Sequence, residues 1–323
     1  MPTIHGFWDT LPKPFFVLAP MADVTDMSFR TVVTSCGRPD VFYTEFVSAH
    51  GLQSPGRERL LKDLAIAPTD HPIVVQFFGT EAEHLQAAGI LARERGFDGV
   101  DINLGCPDRG VMKQGAGIAM AKTPEKVPEL VAALRDGFRG PVAVKTRLGL
   151  YTTEEMETWI PAIIAAKPDV LVVHGRTMKE ASKVSAHWDL IGRCAAMAHD
   201  AGVLCIGNGD VMSRVQGEKL ATRWGVDGLM VGRGIYQNPW IFGPDAEREH
   251  QPQERLALLL RHAQLWQKQW EGMKPFDLMK KFAKAYISGW PGAAGLRARF
   301  MACRNIGELR AIIEQAEKET PAD

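Results

Sequence analysis

Short apolar runs, rich in β-branched and aromatic residues, recur along the first three quarters of the chain and contain few polar positions. Runs of this kind are typical of parallel strands that are buried on both faces of a sheet. Eight runs are predicted as strands: residues 15–20, 41–46, 73–78, 99–106, 142–149, 170–177, 203–210 and 228–234.

The segments between these runs carry amphipathic helical patterns. Residues 80–83 and 152–155 have the spacing of capping boxes, which mark helix starts. Strand starts lie roughly 25–40 residues apart, which leaves room for a helix between parallel strands. Eight alternating units predict an α/β fold of the (β/α)8 TIM-barrel class. A doubly wound open sheet is the alternative, disfavoured because no G-x-G-x-x-G follows the first strand.

The pattern changes after residues 243–244, and from about residue 251 onward helical patterns replace the strands. We predict two to four helices in this last part of the chain. The predicted division is a catalytic barrel of residues 1–247, followed by a small C-terminal helical domain of residues 248–323.

The chain has 38 basic and 38 acidic residues, so its net charge is zero with neutral histidines. This balance excludes a basic surface over the whole chain but allows a local basic patch. The five cysteines include no C-x-x-C pair, which argues against a disulfide framework and a zinc site. No stretch approaches the roughly 20 apolar residues of a membrane span, and the N-terminus lacks a signal-peptide pattern. We therefore expect a cytoplasmic protein without a membrane anchor or a metal.

Polar or otherwise unusual residues stand at the end of almost every predicted strand, where TIM-barrel enzymes place their reactive groups. In chain order they are Pro20 and Met21, Glu45, Gln76, Asn103 and Cys106, Lys145 and Arg147, His174 and Arg176, Asn208 and Asp210, and Arg233. Any one of them alone is better explained as a helix cap or a surface ion pair. Their occurrence at eight successive strand ends instead predicts a functional site.

Glycine-rich loops follow the seventh and eighth predicted strands, at residues 207–210 and 232–234. Barrels often bind phosphate at this place, because glycine lets backbone N–H groups approach an anion closely. Arg233 is suited to add a charged hydrogen bond. The alternative is a pair of glycine turns without a ligand.

Three further side chains have chemistry suited to the mouth of a barrel. Lys145 is a Schiff-base nucleophile, a fixed positive charge or a solvated strand-end lysine. His174 suits a general acid or a hydrogen-bond donor, and a metal is disfavoured because no second ligand lies at the required spacing. Cys106 lies in a Gly-Cys-Pro turn and is expected to face the mouth as an acid or a nucleophile. The other four cysteines are interpreted as structural.

These residues fall within an ordered set of motifs that spans the predicted barrel. The motifs are LAPMADVTDMSFR (18–30), YTEFVSAHGL (43–52), VVQFFG (74–79), GVDINLGCP (99–107), GAGIAM (115–120), VKTRLG (144–149), VVHGRT (172–177), GNGD (207–210) and GRGIYQNPWIF (232–242). The set resembles the tRNA-dihydrouridine synthases of bacterial type, a family of FMN-dependent (β/α)8 enzymes with a C-terminal helical domain. Residues 280–281 and 289–301 resemble that C-terminal domain.

The resemblance implies which residues hold the cofactor. The residues implied to bind FMN are Ala19, Pro20, Met21, Gln76, Lys145, His174, Asn208, Gly209, Asp210, Gly232 and Arg233. Among them, Gln76 and Lys145 would hydrogen-bond the pyrimidine edge of the flavin, and His174 would contact its phosphate or ribityl region. A lysine at that edge would stabilise the negative charge of the reduced flavin.

The implied reaction is reduction of the C5–C6 bond of uridine in tRNA, with NADPH or NADH restoring the flavin. A hydride would pass from flavin N5 to C6, and Cys106 would give a proton to C5. A thiol suits this role because it stays mostly protonated at neutral pH. The resemblance also implies that Asn103 faces the uracil and that Arg176 lines the site.

The target uridine lies in folded tRNA and must be turned out to reach the flavin. From residue 279 to residue 304 there are six basic residues and no acidic one, with Tyr286 and Trp290 among them. Basic and aromatic side chains suit RNA, although a solvated helical face with core aromatics is the alternative. The residues assigned to tRNA contact are Lys280, Lys281, Arg297 and Arg299. We expect a monomer with tRNA as its partner.

Three other functions stay open at this level. They are a flavin-dependent reductase of a small pyrimidine, a Schiff-base aldolase built on Lys145, and a non-catalytic RNA-binding module. The basic C-terminal segment disfavours the first, because a small substrate needs no such segment. The loop at residues 108–117 leaves the family subtype open, and Glu45 serves either pairing within the fold or contact with substrate.

Overall fold

The computed structural model describes residues 5–319, so the outermost ends of the two predicted domains, residues 1–4 and 320–323, lie outside the described residues. Within the described residues the chain forms eight parallel strands in one sheet. They are β1 (Phe15–Leu18), β2 (Phe42–Ser48), β3 (Ile73–Phe78), β4 (Gly99–Leu104), β5 (Val142–Arg147), β6 (Val170–His174), β7 (Leu204–Asn208) and β8 (Gly228–Val231). Each predicted apolar run thus coincides with a strand.

The sheet closes into a barrel. Strands that are neighbours in the chain pair from β2 to β8, and β8 then pairs with β1. Between β1 and β2, the Leu18 N–H donates to the Val41 carbonyl (3.1 Å), and Val17 forms a parallel bridge with Val41. This closure confirms the predicted (β/α)8 TIM barrel and excludes the open doubly wound sheet.

Helices connect the strands, and most of them pack on the outside of the barrel. They are α1 (Met27–Cys36), α2 (Arg57–Asp63), α3 (Ala82–Glu94), α4 (Arg109–Lys113), α5 (Val127–Phe138), α6 (Met156–Ala165), α7 (Trp188–Asp200) and α8 (Arg214–Trp224). The capping box at residues 152–155 is confirmed, in a 3-10 turn that leads into α6. The one at residues 80–83 is wrong, because the Thr80 hydroxyl donates to the Glu81 carboxylate (3.3 Å) and Glu81 is the N-cap residue.

Apolar side chains pack in two layers, because successive residues of a strand face opposite sides of the sheet. Phe15 and Val17 of β1 fill the interior of the barrel, whereas Phe16 and Leu18 pack outward against the helices. Trp8 precedes β1 and packs on Phe15, with 5.6 Å between the ring centres. Trp8 thereby fills the end of the barrel at which the strands begin.

Beyond β8, the chain up to residue 319 forms helices and no strand. After residue 250 the α-helices are α9 (Pro252–Trp270), α10 (Ala283–Tyr286), α11 (Ala293–Ala302) and α12 (Ile306–Glu319), here called the C-terminal helices. Phe29 of α1 contacts His262 (5.3 Å between ring centres) and Phe282 (5.0 Å), so these helices share a core with the barrel's outer layer. The division into two domains at residues 247–248 stays a prediction. Among residues 5–319, no helix combines the length and apolar character that crossing a membrane requires.

An ionic cluster joins the segment that follows α9 to the barrel. The Lys274 Nζ lies 3.0 Å from a carboxylate oxygen of Asp63 and 3.4 Å from one of Asp23. It also lies 3.9 Å from Glu45 Oε2 and 3.8 Å from the centre of the Trp270 ring. Burial raises the pKa of Glu45 to about 8, although Lys274 opposes the shift. The buried position of Glu45 beside Lys274 favours pairing within the fold over contact with substrate.

Replacing Lys274 with methionine is expected to lower the free energy of unfolding by about 3–5 kcal/mol, because buried carboxylates lose their cation. Burial already raises the pKa values of Glu45 and Asp63, so both carboxyls keep a proton to a higher pH in the folded state than in the unfolded chain. The unpaired charged forms are populated as pH rises, so the loss should be larger near pH 8 than near pH 5. Urea unfolding at both pH values measures it. A loss no larger than that of Lys268→Met, at an exposed position of α9, would contradict this expectation.

Candidate active site

A cavity of about 550 Å³ opens at the carboxyl ends of the strands. This volume is in the range of sites for small molecules and cofactors. Eleven of the predicted site residues come together in its lining: Ala19, Pro20, Met21, Lys145, His174, Arg176, Asn208, Gly209, Asp210, Gly232 and Arg233.

The cavity lining carries more positive than negative charge. Arg176 is satisfied within the protein, because it donates to the Asp210 carboxylate and through Nε to the Val184 carbonyl (2.7 Å). Partial burial acts to raise the pKa of Asp210, but hydrogen bonds, first that from Arg176, bring it below its ordinary value. Arg233 lies 3.9 Å from Asp210, and its side chain is 62% exposed. The excess of positive charge suits an anionic ligand.

Lys145 of β5 contributes a cation to the cavity wall. Its Nζ donates to Asn208 Oδ1 (3.3 Å), and Asn208 Nδ2 donates to the Met230 carbonyl (2.7 Å), which sets the orientation of the amide. Burial, and then repulsion from Arg147, lower the pKa of Lys145 to about 8. The ammonium is therefore charged at neutral pH and can stabilise negative charge on a bound ring.

His174 presents a neutral imidazole to the cavity. Burial, and then the positive charge of Arg147, push its pKa well below the ordinary value. Its Nε2 lies 3.2 Å from an Nη atom of Arg176. We expect this imidazole to hydrogen-bond a ligand without carrying charge. Within residues 5–319, no three His, Cys, Asp or Glu side chains are grouped so that they could hold a metal ion.

Arg147 lines the cavity; it was predicted among the strand-end residues but given no specific role. Its Nε donates to the carbonyl of Gly105 (2.9 Å), and burial lowers its pKa to about 10. Arg147 therefore links the cavity wall to the turn that carries Cys106. The sequence signal that could have placed Arg147 in the cavity is its position two residues after Lys145, because side chains two apart on a strand share a face.

Cys106 lies beside the cavity, in the turn after β4. Its backbone N–H donates to Asn103 Oδ1 (2.8 Å), and its side chain packs against the small apolar cluster of Phe78, Val111 and Ala116. Burial raises the pKa of the thiol, so it keeps its proton at neutral pH. The structural interpretation of the other cysteines agrees with their burial: Cys36, Cys194, Cys205 and Cys303.

Gln76 and Asn103 also lie beside the cavity, in a buried chain of hydrogen bonds. Asn103 Nδ2 donates to Gln76 Oε1 (2.9 Å), and Gln76 Nε2 donates to Asp101 Oδ1 (2.7 Å). The Tyr43 hydroxyl lies 3.4 Å from the second Asp101 oxygen. Asp101 and Tyr43 were missed from the sequence. The sequence signal for Asp101 was an acidic residue within the apolar run of β4. It lies two residues before Asn103 and therefore on the same face of the strand as Asn103.

The four predicted tRNA-binding residues lie in the C-terminal part of the chain: Lys280, Lys281, Arg297 and Arg299. The Lys280 ammonium contacts Asp277 (2.5 Å), and the Lys281 ammonium contacts Asp23 (3.2 Å). One Nη of Arg297 donates to the Ile287 carbonyl (2.8 Å). Both lysines therefore carry an acidic neighbour that sequence reasoning did not foresee, and their contact with RNA stays a prediction.

Tyr286 belongs to the core. Its side chain is fully buried (0% exposed), and its hydroxyl lies 3.0 Å from His262 Nδ1. The alternative interpretation of a core aromatic is thus right for Tyr286, which cannot stack on a base. Trp290 is only partly buried and keeps an accessible face.

Comparison with known proteins gives relatives over nearly the whole chain. The family model for dihydrouridine synthase (Dus) matches residues 17–320. The "Probable tRNA-dihydrouridine synthase" of Staphylococcus aureus (strain Mu50 / ATCC 700699) is 38% identical over 323 residues, which cover 99% of this chain and 98% of that protein. The "Probable tRNA-dihydrouridine synthase 2" of Bacillus subtilis (strain 168) is 39% identical over 319 residues, 98% of each chain.

Solved structures share the fold at much lower identity. A complex of 2-naphthoyl-CoA reductase gives a TM-score of 0.54 at 12% identity, over 70% of this chain and 49% of that one. The 6-hydroxypseudooxynicotine amine oxidase of Pseudomonas geniculata N1 gives 0.53 at 15% identity, over 70% and 46%. The match to the family model and the two full-length relatives confirm the resemblance seen in the motifs: the chain belongs to the dihydrouridine synthase family.

Proposed function

We propose that this protein reduces uridine to dihydrouridine in tRNA, with FMN as its flavin and NADPH or NADH as the reductant. The observation that carries the proposal is the hydrogen bond from Arg147 Nε to the Gly105 carbonyl, where the cation-rich cavity meets the Cys106 turn. A protonated thiol thus lies next to a cavity with the volume and charge for an anionic cofactor. The names of both bacterial relatives support tRNA as the substrate.

The residues of the cavity fit the phosphate end of a flavin mononucleotide. A Cβ added at Gly232 would lie at an ordinary contact distance from Ala19 Cβ (3.8 Å), and because glycine carries no Cβ the backbone there lines the cavity directly. A Cβ at Gly209, where φ is +126°, would lie 2.7 Å from Ala186, so this loop needs glycine. Exposed backbone and a nearby guanidinium suit a phosphate. The residues proposed to hold ribityl and phosphate are Asn208, Gly209, Asp210, Gly232 and Arg233.

The remaining cavity residues suit the ring of the flavin. We propose that Lys145 and Gln76 hydrogen-bond its pyrimidine edge and that His174 contacts its phosphate or ribityl region. The residues proposed to lie against the ring are Ala19, Pro20 and Met21. When bound, the flavin would supply the hydride that reduces C6 of the uracil, after its own reduction by the nicotinamide.

The protein's own part in the chemistry is proton delivery and orientation. The Cys106 Sγ holds the proton that C5 requires, because burial raises the pKa of the thiol. Asn103 Oδ1 accepts from the backbone N–H groups of Gly105 (3.1 Å) and Cys106 (2.8 Å), which orients the turn before substrate binds. We propose that Asn103 also faces the uracil and that Arg176, held by Asp210, contacts the substrate at the rim.

A tRNA substrate requires binding energy beyond the target base, because turning a base out of its stack costs a few kcal/mol. We propose that basic side chains of the C-terminal part contact phosphates and offset this cost. The side chains assigned are Lys280, Lys281, Arg297 and Arg299. Since the Lys281 ammonium contacts Asp23 (3.2 Å), binding a phosphate would exchange part of that contact for the new one.

Neutralising these four residues to glutamine is expected to weaken tRNA binding. The slope of log affinity against log salt should become shallower by about one for each phosphate that the variant no longer neutralises. Filter binding over a salt series measures both effects. The control changes four exposed basic residues of the barrel surface: Arg95, Lys126, Lys219 and Arg223. Bound flavin should be unaffected in either variant. An unchanged salt slope in the first variant would remove the C-terminal residues from tRNA binding.

Incubation of the purified protein with an unmodified tRNA transcript and NADPH tests the reaction itself. We expect dihydrouridine, detected by mass spectrometry as a nucleoside heavier than uridine by two hydrogens. Reduction of a free pyrimidine without reduction of tRNA would favour a small-molecule reductase instead.

A further inference from the structure

A chain of hydrogen-bonded, buried polar groups runs along the inner face of the neighbouring strands β2, β3 and β4 and ends at the Cys106 turn. Asp101, Gln76 and Tyr43 are fully buried, and Asn103 is 6% exposed. Gln76 of β3 pairs with Asp101 of β4 in register. Asp101 and Asn103 lie two apart on β4 and so share the inward face. Asp101 is thus a buried acid close to the proposed chemistry that the proposed reaction leaves without a role.

The direction of the hydrogen bonds in this chain is set at both ends. An amide side chain has one accepting and one donating end, whereas a carboxylate only accepts and a backbone N–H only donates. Asp101 Oδ1 accepts from Gln76 Nε2 (2.7 Å), which turns Gln76 Oε1 toward Asn103 Nδ2 (2.9 Å). Asn103 Oδ1 then accepts from the N–H groups of the Cys106 turn. All of these hydrogen bonds can form together only when the side chain at position 101 offers an acceptor.

We infer that Asp101 is a positioning residue, whose accepting oxygen orients Gln76 and, through Asn103, holds the turn that presents the Cys106 thiol. This inference rests on the proposed function, because it assigns Asp101 to the orientation of the proposed proton donor. Without the acceptor, the Gln76 amide loses the partner of its Nε2 and is free to turn over. Asn103 Nδ2 would then face a second donor, and the turn would lose its fixed end.

The Lys145 ammonium supports this assignment. Asn103 pairs in register with Lys145 of β5, so the Lys145 cation and the hydrogen-bonded polar groups both lie in the barrel interior. The positive charge of Lys145 opposes the effect of burial, which raises the pKa of Asp101 to about 7. Hydrogen bonds from Gln76 and Tyr43 act in the same direction as Lys145, so together they favour the ionised, acceptor-only form of Asp101 on which the direction of these hydrogen bonds depends.

Two substitutions distinguish the effect of losing the acceptor at position 101 from the effects of losing its charge or changing its volume. Asp101→Leu removes the acceptor at similar size, whereas Asp101→Asn keeps an accepting oxygen for Gln76 and removes only the charge. Tyr43→Phe is the matched control, because it removes the 3.4 Å contact at the far end and leaves the link to Gln76 intact.

The first measurement is the rate of Cys106 alkylation by iodoacetamide in the native protein, followed on the Cys106 peptide by mass spectrometry. The other four cysteines are buried, so Cys106 is the thiol expected to react under native conditions. We expect a severalfold change of this rate in Asp101→Leu, and rates within a factor of about two of wild type in Asp101→Asn and Tyr43→Phe. This measurement needs neither flavin nor tRNA, so it stays informative even if the proposed function fails.

The second measurement is dihydrouridine formation. We expect kcat to fall by about 10²-fold in Asp101→Leu, with KM for tRNA unchanged, and to recover in Asp101→Asn. If Asp101→Leu does not fold, Gln76→Met breaks the same chain one link later and should change alkylation in the same way. Asp101→Leu with wild-type alkylation and kcat would overturn the inference. So would Asp101→Asn as impaired as Asp101→Leu, because the role would then belong to the charge.

Discussion

Replacing Cys106 with alanine is expected to slow dihydrouridine formation by about 10²–10⁴-fold, the range that general acid catalysis contributes. The alanine variant keeps the cavity lining and the C-terminal helices, so flavin content and tRNA affinity should match wild type. Serine should not restore the rate, because a hydroxyl gives up its proton far less readily than a thiol. Single-turnover reduction of tRNA by the prereduced protein measures the step directly.

The matched control for this prediction is Cys194→Ala, which removes a buried thiol of α7 remote from the cavity lining. It should turn over like wild type. Because burial raises the pKa of the Cys106 thiol, the single-turnover rate of the wild-type protein saturated with FMN should persist to a pH above the ordinary thiol value of about 8.5. Retention of wild-type turnover in Cys106→Ala would rule out Cys106 as the acid.

The double variant Lys145→Met, Arg233→Gln is expected to lose flavin binding. The purified variant should therefore lack the yellow colour of the flavin. The two substitutions remove the cation proposed at the ring edge and the exposed guanidinium proposed at the phosphate. Titration of the apoprotein with FMN, followed by quenching of flavin fluorescence, measures the affinity. We expect a loss of at least about 100-fold, since two charged hydrogen bonds of about 1.5–3 kcal/mol each disappear.

The pH dependence of flavin binding provides a second test of Lys145. Its pKa is lowered to about 8, so the ammonium loses its proton as pH rises through that value and binding should weaken there. Lys145→Met alone should bind weakly and without this alkaline loss. The control pair, Lys219→Met with Arg223→Gln on α8, removes the same charge from the outer surface and should leave binding unchanged. A double variant of Lys145 and Arg233 that stays yellow would contradict the proposed cofactor site.

The barrel itself could be predicted from the sequence. Its strands are short, almost wholly apolar runs, and this pattern is typical of parallel strands buried on both faces. Residues 15–18 and 170–173, for example, are buried throughout, as their composition indicates. Local capping signals were less secure. Thr80 has the right spacing for a cap, but its hydroxyl binds the neighbouring Glu81 carboxylate, a choice between two nearby partners that spacing cannot decide.

The cavity lining was also accessible from the sequence, since closing the sheet brings all strand ends to one rim. Gln76 and Cys106 were expected in the lining, yet they lie beside it. Gln76 is buried in hydrogen bonds with Asp101 and Asn103, and the turn that carries Cys106 packs against Phe78 and its neighbours. Asp101 carried a signal as an acid on the inner face of β4, but its pairing with Gln76 could not be predicted, since it depends on a register between β3 and β4 that periodicity does not specify. The burial of Tyr286 likewise depends on how the C-terminal helices pack on α1.

The central claim is that a flavin site and the Cys106 thiol together reduce uridine in tRNA. Mapping dihydrouridine along total tRNA tests it most directly, in cells that lack the gene and carry back either the wild-type or the Cys106→Ala protein. We predict that specific positions lose dihydrouridine without the gene, regain it with the wild-type protein, and stay unmodified with Cys106→Ala. A dihydrouridine map unchanged by loss of the gene, or restored in full by Cys106→Ala, would contradict the account.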